Sequence, residues 1–132
     1  SLNSPTLLPL SQTRLLLGTT NNGILGIGLQ YSRDAGIEWL PARGIGSSVS
    51  SIVSSGSLLL VGCTNDGIYQ SRDSGETWSK IYNLPSNTIP RLYIHDSSIF
   101  MVNDLALFSG TLKAIRSSDS GKTWQNINTG IN

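Results

Sequence analysis

The chain is poor in the residues that do most protein chemistry. Among its 132 residues there is one cysteine, Cys63, so no internal disulfide can form. It sits in the apolar stretch Leu58-Leu59-Leu60-Val61-Gly62-Cys63, which reads as a buried strand and makes the thiol a core residue rather than a nucleophile. His95 is the single histidine, which excludes a multi-histidine metal site and leaves only one imidazole for any Ser/His/Asp arrangement. Next to Asp96 at the end of an apolar segment, it reads as a polar residue beside a turn. The only glutamates are Glu38 and Glu76. Charged residues make up 13% of the chain, against roughly 25% in soluble domains at large, and the net charge is +1. With no basic run and scattered Arg and Lys, nucleic acid is not an expected partner. No apolar run approaches the ~20 residues of a membrane-crossing helix, so membrane insertion is not expected. Sustained helical periodicity is also missing. The chain begins with Ser rather than Met, from which trimming or processing is expected.

What the sequence has instead is Ser, Thr, Asn and Gly, a composition suited to short strands joined by tight turns and shared by many secreted and virion proteins. It also has an internal repeat. Ser71-Arg72-Asp73-Ser74-Gly75-Glu76-Thr77-Trp78 returns as Ser117-Ser118-Asp119-Ser120-Gly121-Lys122-Thr123-Trp124. A worn copy is Ser32-Arg33-Asp34-Ala35-Gly36-Ile37-Glu38-Trp39, with Glu38 where the others have Thr. All three tryptophans close a copy. The aspartates are 39 and then 46 residues apart, close to the roughly 40–50 residues of a four-stranded blade. In each copy, Asp and Ser can accept backbone amides two or three residues on, Gly can supply a positive φ, and Trp can pin the turn to its sheet.

The pattern Ser-x-Asp-x-Gly-x-Thr-Trp resembles the Asp-box, or BNR repeat, of sialidases, sortilin-like receptors, photosystem assembly factors and some glycosidases and adhesins. The resemblance implies that each copy is the hairpin between the third and fourth strands of a β-propeller blade. The defining residues are then structural: Ser32, Asp34, Gly36 and Trp39; Ser71, Asp73, Gly75, Thr77 and Trp78; Ser117, Asp119, Gly121, Thr123 and Trp124.

The expected fold is therefore all-β and propeller-like, one domain over residues 1–132 with three four-stranded antiparallel blades near 5–41, 48–84 and 88–130. Strands are expected near 6–10, 14–19, 24–32 and 37–40; near 49–54, 57–63, 67–72 and 77–82; and near 89–95, 98–102, 111–117 and 123–127. The second strand of each blade is the most apolar, as a strand buried on both faces must be. Asn21-Asn22-Gly23 and Asn65-Asp66-Gly67 are hairpin signals at matching positions. The third blade departs there, with Asn103-Asp104-Leu105. Closed propellers have 4–8 blades, so three leave two sheet faces to cover. The expected partners are a second copy, further blades or other subunits.

A complete sialidase is not expected. The resemblance would require three arginines converging on a carboxylate, a free acidic residue and a Tyr–Glu pair. Of the arginines, Arg91 lies in an inner strand, Arg14 begins a second strand, Arg33 and Arg72 lie in boxes and Arg43 in a connection. Both glutamates fall inside boxes. No catalytic residue, metal ligand or cofactor is assigned. The reading is a non-enzymatic module acting in binding or assembly. The alternatives are a glycan-binding adhesin or lectin, of a phage tail or secreted, and a fragment of a sialidase-like glycosidase lacking its catalytic residues. The face opposite the boxes offers Asn22, Arg43, Asn65, Asp66, Arg91 and Asp104 as candidate ligand-binding residues, with polar groups suited to sugar hydroxyls.

Overall fold

A computed structural model describes residues 6–18, 29–45, 48–56, 58–85, 88–103 and 114–127. They form twelve strands in three antiparallel sheets of four, each in simple sequence order. Sheet one holds β1 (Thr6–Pro9), β2 (Leu15–Gly18), β3 (Leu29–Ser32) and β4 (Leu40–Pro41). Sheet two holds β5 (Val49–Ser55), β6 (Leu58–Cys63), β7 (Gly67–Ser71) and β8 (Ser79–Asn83). Sheet three holds β9 (Pro90–His95), β10 (Ser98–Asn103), β11 (Ala114–Ser117) and β12 (Gln125–Asn126). The described residues contain no helix. The first strands of successive sheets pack together, β1 on β5 and β5 on β9, so these are the inner strands. This is a partial β-propeller of three blades.

The fourth strands begin later than the spacing suggests, at Leu40, Ser79 and Gln125. The side-chain bonds of each repeated octet hold the chain in a turn up to its Trp, and pairing starts only beyond it. The portions of the expected third strands at 24–28 and 111–113 lie outside the described residues.

Two cores hold the sheets together, and β6 serves both. All six of its residues are buried. Successive side chains on a strand point to opposite faces, so Leu59, Val61 and Cys63 enter the core shared with sheet one, beside Leu16, Leu29, Tyr31, Ile52 and Tyr69. Leu58 and Leu60 enter the core shared with sheet three, beside Ile68, Leu92, Ile99, Met101 and Ile115. Each Leu or Ile so buried contributes about 1.5–3 kcal/mol. The doubly apolar run of β6 is thus explained by its position between two neighbours.

Pairing registers align the second and third strands of the three blades residue by residue. Leu15, Leu59 and Ile99 each lie opposite the serine that opens an octet, Ser32, Ser71 and Ser117. Counting onward, Leu16, Leu60 and Phe100 are equivalent, then Leu17, Val61 and Met101, then Gly18, Gly62 and Val102. At Gly62 an added Cβ would come 2.9 Å from Pro90 Cβ, and at Gly18 it would come 2.7 Å from Val49 Cγ1. Both glycines let the next inner strand approach. Val102 holds that place in sheet three.

Candidate functional site

The three octets have one geometry. Ser32 Oγ donates to Asp34 Oδ1 at 2.9 Å, Ser71 Oγ to Asp73 Oδ1 at 2.7 Å and Ser117 Oγ to Asp119 Oδ1 at 2.8 Å. The same hydroxyls accept the amides of Gly36, Gly75 and Gly121 at 2.8, 3.0 and 2.8 Å. Asp Oδ1 accepts the amide four residues on, from Glu38, Thr77 and Thr123. In the second and third octets Thr Oγ1 also donates to the other carboxylate oxygen. The turn runs through two consecutive positive φ values, 61° and 91° at Ala35 and Gly36, 64° and 93° at Ser74 and Gly75, 63° and 89° at Ser120 and Gly121. Glycine takes the second of these without steric cost. Trp78 Nε1 donates to Gly75 O at 2.8 Å and Trp124 Nε1 to Gly121 O at 3.0 Å, fastening each indole over its own turn.

These bonds set the charge state of the aspartates. The Thr123 hydroxyl, then its amide and Ser117, hold Asp119 at about 2. For Asp73 burial pushes upward, but Thr77 and Ser71 outweigh it and the carboxyl also lies at about 2. Asp34 is lowered chiefly by the Glu38 amide and then by Ser32. Asp73 and Asp119 accept bonds on both carboxylate oxygens from their own turns, whereas Asp34, with no Thr in its octet, accepts from Ser32 and Glu38 on Oδ1.

The second octet also reaches across to sheet one. Glu76 accepts from Arg33 Nη2 at 2.7 Å and from Arg14 Nη1 at 2.9 Å, and both arginines lower its pKa, Arg33 first. Arg33 lies over the Tyr31 ring at 5.4 Å. Nothing in the octet itself marks Glu76 for a role beyond it. The available signal was the offset: Arg33 and Glu76 flank the Asp-x-Gly of successive repeats with opposite charge. The corresponding place in the third octet is Lys122, and in the first it is Ile37, which is 86% exposed.

The candidate ligand-binding residues that lie among the described residues do not form one cluster. Asn65, at φ 58°, accepts the Thr88 amide on Oδ1 at 3.0 Å and donates its own amide to Thr88 O. It thereby fixes the segment leading into β9. Asp66 pairs with Lys80 at 2.6 Å and accepts from Tyr69 Oη at 2.8 Å. Burial, then the bond to Asp66, raises the Tyr69 pKa. Arg43 lies beside the second octet, its amide donating to Glu76 O and its carbonyl accepting from Trp78. Arg91 is exposed on β9. Asn22 and Asp104 lie outside the described residues. Among the described residues no group of three or more His, Cys, Asp or Glu could hold a metal ion. His95 is exposed and lies 3.2 Å from Asp96. A shallow cleft of about 250 Å³ lies over the second octet, lined by Gln70, Ser71, Arg72, Thr77, Trp78 and Ser79.

The outer faces of sheets one and three carry exposed apolar side chains. Leu7 is 56% exposed on sheet one; Tyr93 and Val102 are 54% and 37% exposed on sheet three. Arg116, opposite Phe100 on that same face, has a buried Nε with no hydrogen-bond partner.

No protein-family profile matches the chain. Over 61 residues, 44% of the chain, it is 34% identical to vacuolar protein sorting/targeting protein 10 of Sordaria macrospora, and it covers 4% of that protein. Among solved structures it resembles an ancestral GH74 enzyme (TM-score 0.69, 18% identity, 98% of this chain and 21% of the other). It likewise resembles YCF48 bound to D1 peptide (0.63, 19%, 94% and 40%) and the GH74 enzyme of Niastella koreensis (0.60, 21%, 88% and 19%). The chain therefore spans well under half of each of these proteins. At these identities the likeness concerns the fold: the neighbours are β-propeller proteins, and this chain has the architecture of three of their blades.

Proposed function

We propose that this chain is a non-enzymatic Asp-box propeller module that works by binding and by assembly with further blades. One observation carries the reading. The outer faces of sheets one and three keep apolar residues at the register positions that, between the sheets, are buried. Soluble proteins leave such faces open only where something covers them. The carboxylates of the octets, meanwhile, are engaged in turn bonds. Incubation with a panel of sialosides and β-glucans, followed by chromatography of released sugars, is expected to show no turnover above a denatured control. Release at a rate that saturates with substrate sinks the non-enzymatic reading in favour of the glycosidase alternative.

The cleft over the second octet favours a second reading, glycan binding. Gln70, Arg72, Thr77 and Ser79 line it with hydrogen-bonding groups of the kind that meet sugar hydroxyls, above the buried Trp78. A glycan array should then return hits that disappear in Arg72→Ala. A blank array rejects this reading.

A further inference from the structure

We infer that the seam between the second and third octets, beside the cleft of sheet two, binds an acidic sugar whose carboxylate or sulfate is held by Arg72 and Lys122. The inference rests on the glycan reading of that cleft and deepens it by giving the ligand a negative charge.

The neighbouring seam supplies a template. There the second residue of octet one, Arg33, meets the sixth residue of octet two, Glu76, at 2.7 Å. Arg14 joins them at 2.9 Å, so one carboxylate sits between two guanidiniums. Ser32 and Ser71 hold the same register, so the residues that follow them, Arg33 and Arg72, are equivalent. One octet beyond Glu76, the equivalent residue is Lys122. The second seam thus keeps the arginine, and a second cation stands where the carboxylate would come. Octet three does reach sheet two here. A Cβ added at Gly121 would lie 2.9 Å from Ile81 Cδ1, and the Trp124 ring lies 5.7 Å from that of Tyr82.

Among the described residues no carboxylate answers these two charges. Arg72 and Lys122 are both exposed, and neither forms an ion pair there. Glu76 is taken up by Arg33 and Arg14. Asp73 and Asp119 accept turn donors on both oxygens. A recess lined by one sign of charge concentrates counter-ions, and a guanidinium fork matches the paired oxygens of a carboxylate or similar oxyanion.

The cleft identifies the carrier of the anion. Gln70, Thr77 and Ser79 set an amide and two hydroxyls beside Arg72. The single apolar side chain of the lining is Trp78, which is 7% exposed. Such a wall suits sugar hydroxyls better than a lipid chain or the apolar side chain of a peptide. The volume of about 250 Å³ falls below the roughly 300–1,000 Å³ of sites that enclose a drug-sized ligand. The cleft therefore takes one ring of a glycan, and the charge at the seam fastens it.

The test is an array of uronate-bearing glycans, their methyl esters, sulfated glycans and the same glycans desulfated, probed with the intact chain. Hits should be confined to the charged members. Arg72→Gln and Lys122→Gln should each weaken them about threefold, the scale of a single exposed charge pair. Arg43→Gln, which removes an exposed charge from the other flank of octet two, should not. Lys122→Glu copies the first seam, so its own carboxylate should take the ligand's place and abolish the hits. All three positions are exposed, so β-sheet circular dichroism should stay unchanged; should Arg72→Gln fail to fold, the two Lys122 variants decide. Hits on the esters or desulfated glycans as strong as on their charged counterparts overturn the charged ligand and leave the glycan reading standing. Charged hits that survive Lys122→Glu overturn the seam as their site. A blank array overturns both readings, and titration with sodium sulfate that then shows binding assigns the two cations to a free anion and not to a sugar.

Discussion

The two internal blade junctions share an apolar core and differ in their polar fastenings. Between sheets one and two the fastening is at the octet: Glu76 grips Arg33 and Arg14, and Gly75 lies on Leu16. Between sheets two and three it is at the inner strands. There Ser50, the extra residue of a bulge in β5, donates to Pro90 O at 2.6 Å, and Leu92 donates its amide to Ser51 Oγ at 3.0 Å. At the octet, Lys122 stands where Glu76 would, with Arg72 in the place of Arg33. Tyr82 and Trp124, ring centroids 5.7 Å apart, fill that side instead. The contrast teaches that hydrophobic equivalence is the rule that builds the stack, while each polar clamp is local and exchangeable.

The largest expected effect breaks the first junction sterically. Gly75→Ala and Gly36→Ala impose the same backbone strain, about 1–2 kcal/mol for a side chain at left-handed φ. A Cβ at 75 also overlaps Leu16 Cδ2, whereas at 36 the nearest atom is 3.6 Å away. Overpacking adds about 1–3 kcal/mol, so urea denaturation should show Gly75→Ala less stable than Gly36→Ala by that margin. Equal losses would mean that Leu16 yields without cost.

Acid should separate the junctions by a smaller amount. Asp73 and Asp119 keep their charge down to about 2 when folded, against an ordinary 3.8, so the unfolded chain takes up their protons first. Their contribution is complete above the ordinary value and is lost as pH falls toward 2. Glu76, lowered from 4.5 by Arg33 and Arg14, follows the same sign but acts only at the first junction. Amide exchange with the pH lowered stepwise from 5 to about 2 should show sheet one losing protection before sheet three. Glu76→Gln should erase that difference.

The smallest effect sharpens the comparison. At neutral pH Glu76→Gln should lower Tm by less than either glycine variant, and Lys122→Glu, which sets a carboxylate near Arg72, should raise it slightly. Both shifts should vanish in about 1 M salt, where exposed pairs are screened. A Lys122→Glu effect that survives such salt would point to packing and not to charge.

Much of the architecture could be read from the residues because the repeated octet is a self-contained turn: Ser, Asp, Gly and Trp act on one another within eight positions. The continuous apolar run of β6 likewise announced burial on both faces. The starts of β4, β8 and β12 were less readable, since the octet delays pairing until after its Trp. The roles of Asn65 and Asp66 were hidden as well. A polar turn looks the same whether its side chains await a ligand or are held by Thr88, Lys80 and Tyr69; of these only Tyr69 is a near neighbour in sequence, while Thr88 lies ahead of β9 and Lys80 on β8. The grip of Glu76 on Arg14 joins residues 62 positions apart, and local pattern carries no trace of it.

Because β6 is apolar on both sides, a one-residue slip would cost it little in buried oil: Leu58 and Leu60 would trade places with Leu59 and Val61. In a strand with one wet face such an error exposes the core and corrects itself. Here fidelity falls to features that do not tolerate a shift. Gly62 is the one residue of the strand without a side chain to strike Pro90, and the turns at Asn65 and Ser71 fix where the strand stops and where its neighbour β7 begins and ends. The middle leaf of the stack is thus kept in frame by its smallest residue and its corners, and a valine or alanine at 62 would invite misaligned folding more than simple loss of stability.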